Sequence, residues 1–202
     1  MNRHNALAQI RDHLLGSIET KRRMLETCAE DIARAAELMA ETFRRGGKIL
    51  LCGNGGSAAD CQHMTAELVS SLRKDVDRPG LPAVALTANT SLITAFSNDY
   101  GFDGIFARQV QALGRPDDVL IAISTSGESR NVVEAVVEAR KRSLRIVALM
   151  GEDGKLSDLA EVAIRVPDCD TQHIQEAHLA IEHVLCHLVE RHLYAETQKS
   201  LK

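Results

Sequence analysis

No excess of basic residues marks this 202-residue chain: 24 Lys and Arg stand against 28 Asp and Glu, mixed throughout, for a formal charge of −4. Binding to a phosphate backbone rewards clustered cations, so nucleic acid is not an expected partner. Long apolar runs are missing from the amino end, where "MNRHNALAQIRDHLLGSIETKRR" carries a charge every few residues. That pattern leaves no room for a signal peptide or a bilayer crossing, and the expectation is a cytoplasmic protein with no membrane partner. There is no C-x-x-C pair. The five cysteines, Cys28, Cys52, Cys61, Cys169 and Cys186, are scattered singly, and an odd number suits a reducing compartment better than a disulfide framework. They read as small apolar fillers. Low-complexity tracts and evident linkers are absent as well, and the length suits one well-buried core.

What is present is periodic. Residues 3 to about 45 have helical spacing, with an interruption near Gly16 and Ser17, and Ile32, Ala35, Ala36, Leu38, Met39 and Phe43 form a stripe at intervals of three and four. "RRGGK" then stops the helix. Five short apolar runs follow, "KILLCG", "PAVALT", "DVLIAIS", "RIVALMG" and "EVAIRVP", alternating with helical or loop segments. Such runs are the mark of a parallel sheet covered on both faces. The fold class is therefore α/β, a three-layer α/β/α sandwich with a five-stranded parallel sheet, N-terminal helices and a long C-terminal helix from about Thr171 to Tyr194. One domain over 1–202 is expected: a helical extension at 1–46, an α/β core at 47–170, and the last helix and tail at 171–202. "MGEDGKLSDLAEV" reads as a loop or short helix to which pattern assigns no role.

Two strand-to-helix turns echo each other, "ILLCGNGGSAAD" and "LIAISTSGESRNVVEA". Ligands of open parallel sheets bind beyond the carboxyl ends of strands, so two polar turns there suggest one pocket. Ser124, Thr125, Ser126 and Ser129 offer hydroxyls, and the following helix offers unpaired N–H groups, a cradle suited to a phosphate monoester. A serine-rich helix cap is the plainer reading of the same residues. Gly53-Asn54-Gly55-Gly56-Ser57-Ala58 also fits the loose dinucleotide pattern G-x-G-x-x-G/A. That pattern wants an acidic residue after the second strand, whereas this strand ends "ALTANTS" and the nearest acids, Asp75 and Asp77, precede it. A nucleotide P-loop lacks its lysine followed by Ser or Thr.

His63 and Glu67 are four apart and share a helix face. The spacing suits two ligands of one metal, a base beside its orienting partner, or an ordinary surface contact. Five of eight histidines, His173, His178, His183, His187 and His192, fall in the last helical stretch, and pattern alone selects none of them.

"CGNGGSAADCQHMTAEL", "RPGLPAVALT", "SNDYGFDGIF", "VLIAISTSGES" and "IQEAHLAIEHVL" together resemble the successive blocks of the bacterial phosphoheptose isomerases, in the sugar-isomerase (SIS) domain superfamily. The resemblance runs over nearly the whole chain. It implies a homotetramer converting D-sedoheptulose 7-phosphate to D-glycero-D-manno-heptose 7-phosphate, the first step toward nucleotide-activated heptose for lipopolysaccharide or other surface glycans. It implies one zinc per subunit, held by His63, Glu67, Gln175 and His183. Ketose-to-aldose conversion needs a base, an acid and an electrophile. Glu67 is the candidate base and His183 the candidate acid, with the phosphate on Ser124, Thr125, Ser126 and Ser129. Asn54, Gly55, Gly56 and Ser57 would line the sugar with Glu67 and Gln175, and by resemblance Asn98 and Asp99 would bind its hydroxyls.

Gln175 and His183 are eight apart, about 12 Å of rise and roughly 80° of rotation on a regular helix, against zinc bonds of about 2 Å. The two share one ion only if both side chains stretch toward each other, if the helix is irregular near Gln175, or if they come from different subunits; with the tetramer that the resemblance implies, the favoured expectation is a site at a subunit interface. The other classes are a non-catalytic SIS adaptor resembling the DnaA-binding replication-initiation protein, which lacks the glutamate seen here as Glu67, and a phosphosugar-sensing module, which usually carries a further domain.

Overall fold

The apolar runs of the sequence form one parallel sheet: β1 (Ile49–Gly53), β2 (Ala83–Ala85), β3 (Val119–Ser124), β4 (Arg145–Met150) and β5 (Val162–Arg165), in the order β2-β1-β3-β4-β5. The structure, a computed structural model, describes residues 3–73 and 76–194. Asp75 and the tail at 195–202 lie outside the described residues. β1 and β3 are buried along their whole length, which is why they read as continuous rather than alternating apolar runs. Ile49 pairs with Val119 and Gly53 with Ile123, so the two strands end level. The winding reverses between β1 and β3, and loops that diverge at such a point leave a crevice beyond the strand ends. Both polar turns leave the sheet there.

Alternate strand residues point to opposite faces. Ile49, Leu51, Ile121 and Ile123 pack under α2 (Ala29–Arg44), α3 (Gly56–Val69) and α8 (Thr171–Tyr194), while Leu50, Cys52, Leu120 and Ala122 pack under α5 (Ile105–Leu113), α6 (Arg130–Lys141) and α7 (Leu156–Leu159). This is the expected three-layer arrangement. α4 (Thr90–Tyr100) follows β2 and buries none of its residues. No helix among the described residues is long and apolar enough to cross a membrane.

One expectation needs correction. The amino-terminal helical region does not break at Gly16 and Ser17: α1 (Arg3–Thr27) runs through both, and the break falls at Cys28, where φ is −112°. A Cβ on Gly16 would overlap the ring of His173, so this glycine lets α1 pack closely on α8 rather than ending a helix. Ser17 is held by the same helix, its hydroxyl donating to the Glu176 carboxylate.

Candidate active site

The glycine turn leaves β1 at Gly53 and enters α3 at Gly56. A Cβ on Gly53 would lie 2.9 Å from Ser57 Cβ and 3.0 Å from the Ile123 carbonyl oxygen, so the turn can fold tightly over the end of β3 only because that position is bare. Ser57 is buried, Asn54 is half-buried, and Gly55 and Gly56 are exposed. The Asn54 side chain points toward α6, where its Nδ2 donates to Asn131 Oδ1 at 2.8 Å.

The serine turn leaves β3 level with it. Ser124 Oγ donates to Ser129 Oγ at 3.0 Å and lies 3.3 Å from Ser126 Oγ, so three of the four candidate hydroxyls face one point. Thr125 is half-buried beside them. Ser129 occupies the N-cap position of α6, yet its side chain makes no capping bond to the helix. The serine-cap reading is therefore not what the geometry shows. The hydroxyls are gathered next to an amino end left uncapped by side chains, an arrangement that favours anions.

His63 and Glu67 project from α3 toward α8. His63 Nε2 lies 3.9 Å from Glu67 Oε1 and 2.9 Å from His183 Nε2, all within one chain. The imidazole rings meet edge to face, with centroids 5.1 Å apart. Gln175 does not join them. Its amide packs on Gly56, at the other end of the same helix pair, so close that a Cβ there would overlap it. The order Gly56 to His63 on α3 follows Gln175 to His183 on α8, so the two helices run in the same direction and keep the two contacts apart. Two imidazoles and a carboxylate are donors that zinc takes. Among the described residues, though, no three His, Cys, Asp or Glu side chains form a closed ligand group. The chemistry of His63, Glu67 and His183 fits the ion, and the Gln175 amide lies against Gly56, seven residues before His63 on the same helix.

Asn98 and Asp99 lie near the carboxyl end of α4, exposed, with Asn98 Nδ2 donating to Asp99 Oδ1 at 2.9 Å. Among the described residues neither side chain bonds to either turn. Their part in a site within one chain is not brought together by this fold.

Three further groups surround the site without a signal in the sequence. Asn131, 2% exposed, returns the bond from Asn54. Arg78 and Glu190 form a buried ion pair at the end of α3. Asp60 and Glu182 are carboxyl groups set between α3 and α8. Burial pushes Glu182 up to about 8, with the Asp60 charge adding to it, and burial pushes Asp60 up to about 6 against the pull of His63. Each of these contacts joins residues distant along the chain, where local periodicity carries no information.

A family model described as the SIS domain matches residues 15–151. A phosphoheptose isomerase from Roseiflexus sp. (strain RS-1) is 52% identical over 186 residues, 92% of this chain and 93% of the relative. Among solved structures, the phosphoheptose isomerase GmhA from Neisseria gonorrhoeae superposes with a TM-score of 0.86 at 44% identity, covering 91% of this chain and 98% of that one. One from Francisella tularensis does so at 0.88 and 39% identity, covering 92% and 98%. With the glycine and serine turns at the switch point of a 2-1-3-4-5 parallel sheet and identity of this extent across both, the chain belongs to the SIS domain family and, within it, to the phosphoheptose isomerases.

Proposed function

We propose that this chain isomerises D-sedoheptulose 7-phosphate to D-glycero-D-manno-heptose 7-phosphate through an enediol. The observation that carries the reading is the gathering of Glu67 and His183 around His63 beside a crevice whose second turn gathers Ser124, Ser126 and Ser129. Identity to phosphoheptose isomerases over 92% of the chain supports it.

With the phosphate on the serine turn and α6, the sugar's other end reaches toward α3 and α8, past Asn54, Gly55, Gly56 and Ser57. The Glu67 carboxylate takes a proton from C1 while the His183 imidazole donates one to the C2 oxygen, giving the enediol. Glu67 then returns its proton to C2 and His183 accepts the proton of the C1 hydroxyl, leaving the aldehyde. One base and one acid suffice, each restored at the end. Zinc held by His63, Glu67 and His183 would polarise the carbonyl oxygen as a Lewis acid. A carboxylate bound to an ion is a weaker base, and a ligating imidazole keeps only its other ring nitrogen for the proton, so Glu67 and His183 each divide their strength between two tasks. Gln175 contacts the sugar from its place against Gly56.

The assembly is a homotetramer with active sites at subunit interfaces. Supporting this, α1 exposes Leu7, Ile10, Leu14, Ile18 and Leu25, and Val184, next to His183, is 44% exposed, so apolar surface awaiting cover borders the site. Asn98 and Asp99, on the helix that buries nothing, then bind sugar hydroxyls across such an interface. The enzyme works in the cytoplasm, at the first step toward activated heptose for lipopolysaccharide or other surface glycans.

The test is conversion of sedoheptulose 7-phosphate to an aldose product by the metal-loaded protein, beside Glu67→Gln. Loss of turnover in the variant with substrate binding retained is expected; normal turnover would remove Glu67 as the base.

A further inference from the structure

The loop after β4, residues 151–155, is built onto the serine turn. Gly151 N–H donates to the Thr125 carbonyl at 3.0 Å and Leu156 N–H to the Gly127 carbonyl at 3.2 Å. Gly127 (φ +65°) and Gly154 (φ +143°) lie face to face: a Cβ on Gly154 would sit 2.7 Å from Gly127 Cα and 2.7 Å from the Ser126 carbonyl oxygen. Glu128 clasps the far end, accepting from Lys155 N–H at 2.9 Å through Oε1 and pairing with Lys155 Nζ at 2.9 Å through Oε2.

These contacts orient the turn. In a planar trans peptide the C=O and the following N–H point in opposite directions. With the carbonyls of Thr125 and Gly127 committed to the loop, the N–H groups of Ser126 and Glu128 are turned to the other side, where the hydroxyls gather; Glu128 N–H already lies 3.2 Å from Ser126 Oγ. The loop also answers a charge problem. Glu128 sits inside the turn that is to receive a phosphate dianion, and Lys155 neutralises it.

We infer that Gly154 and Lys155 are positioning residues for phosphate binding: the 151–155 loop fixes the peptide orientation of the serine turn, and Lys155 screens Glu128 from the bound anion. The inference rests on the reading that this turn holds the substrate's phosphate.

Inorganic phosphate titrated into the full-length chain by calorimetry, with steady-state kinetics beside it, tests this. In Gly154→Ala the added methyl collides with backbone at a φ that L residues rarely adopt, and the phosphate Kd and the KM are expected to rise about tenfold, with kcat within about twofold. Lys155→Ala, on an exposed ion pair, leaves folding intact. Its phosphate Kd is expected to rise about threefold at low salt and less at high salt, and Glu128→Gln added to it restores the original value. A purely structural role would lower the melting temperature and leave these constants unmoved. Unchanged phosphate binding in both variants overturns the positioning role alone. Failure of the unaltered chain to bind phosphate overturns the phosphate assignment of the turn, and the positioning role with it.

Discussion

Asn54 and Asn131 exchange two side-chain hydrogen bonds of 2.8 Å, each amide donating once and accepting once. One amide belongs to the glycine turn after β1 and the other to the first turn of α6, behind the serine turn. The pair therefore sets the distance between the part of the crevice assigned to the sugar and the part assigned to its phosphate. Proton transfer is sensitive to placement at the level of an ångström, so a fixed span between anchor and reacting carbons matters to rate.

Asn131→Ala leaves Asn54 with a donor and an acceptor unmatched in a part-buried place, a loss of about 1–3 kcal/mol. Expressed as isomerase kcat/KM, a drop of about tenfold to a hundredfold is expected. Because the two amides act as one unit, Asn54→Ala combined with Asn131→Ala should be no worse than the more severe single change. A double-mutant cycle reads this directly, and strictly additive losses would show that the amides work independently.

At the other end of α3, Arg78 closes the helix. Its guanidinium donates to the carbonyl of Glu67 at 2.8 Å, to that of Leu68 at 2.9 Å and to Glu190 Oε1 at 2.9 Å, and both side chains of the ion pair are 1% exposed. The last carbonyls of a helix have no partner within it, and here an arginine from the following loop supplies one. Arg78→Ala strands Glu190 as a buried unpaired charge and is expected to cost about 3–5 kcal/mol in urea unfolding. Glu190→Gln in the same chain should recover part of that loss. Equal destabilisation with and without it would mean that the carbonyl bonds, not the ion pair, dominate.

Much of this architecture was legible from local pattern. All five apolar runs are strands, and the last helix spans Thr171–Tyr194 as its spacing suggests, because strand burial and helix periodicity are written in adjacent residues. The His63–Glu67 spacing and the hydroxyls of the serine turn were legible for the same reason. Gly16 was not: a glycine that admits His173 from another helix looks, in sequence, like one that ends its own. The Asn54–Asn131 and Arg78–Glu190 pairs join residues 77 and 112 positions apart, beyond any local signal. The choice of His183 among the histidines of α8 rested on family resemblance rather than on pattern; in the fold its Nε2 lies 2.9 Å from His63 Nε2.

Glu182 gives the protein a pH signature. It is 1% exposed and neither carboxyl oxygen has a hydrogen-bond partner among the described residues, so burial favours the neutral acid and lifts its pKa from 4.5 to about 8. An acid with a raised folded-state value binds its proton more tightly folded than unfolded. Its contribution to stability is present below the unfolded value and is lost as pH rises toward the folded one. In metal-free protein, stability should therefore fall between about pH 5 and pH 8, by up to about 1.4 kcal/mol per pH unit for this one group. Asp60, raised to about 6, adds to the same trend over the lower part of that window. Glu182→Gln keeps the shape and removes the titration, so the variant should gain several kcal/mol over the parent at pH 8 and match it near pH 4. Chemical denaturation at a series of pH values checks this, and parallel curves for parent and variant would be the contrary result.

Metal binding separates two placements of Gln175. If the ion is held by His63, Glu67 and His183 of one chain, Gln175→Ala leaves the affinity for cobalt, followed by its visible absorption, within about threefold. His63→Ala removes a ligand outright and should weaken it by about a hundredfold. The Gln175 amide rests on Gly56, seven residues before His63 on α3, and α8 is unbroken between Gln175 and His183, so this is the outcome the single chain favours. Should Gln175→Ala cost as much as His63→Ala, the fourth ligand comes from a neighbouring subunit. Cobalt affinity would then fall when the oligomer is diluted into its protomers, while a site complete within one chain would bind equally well at every protein concentration.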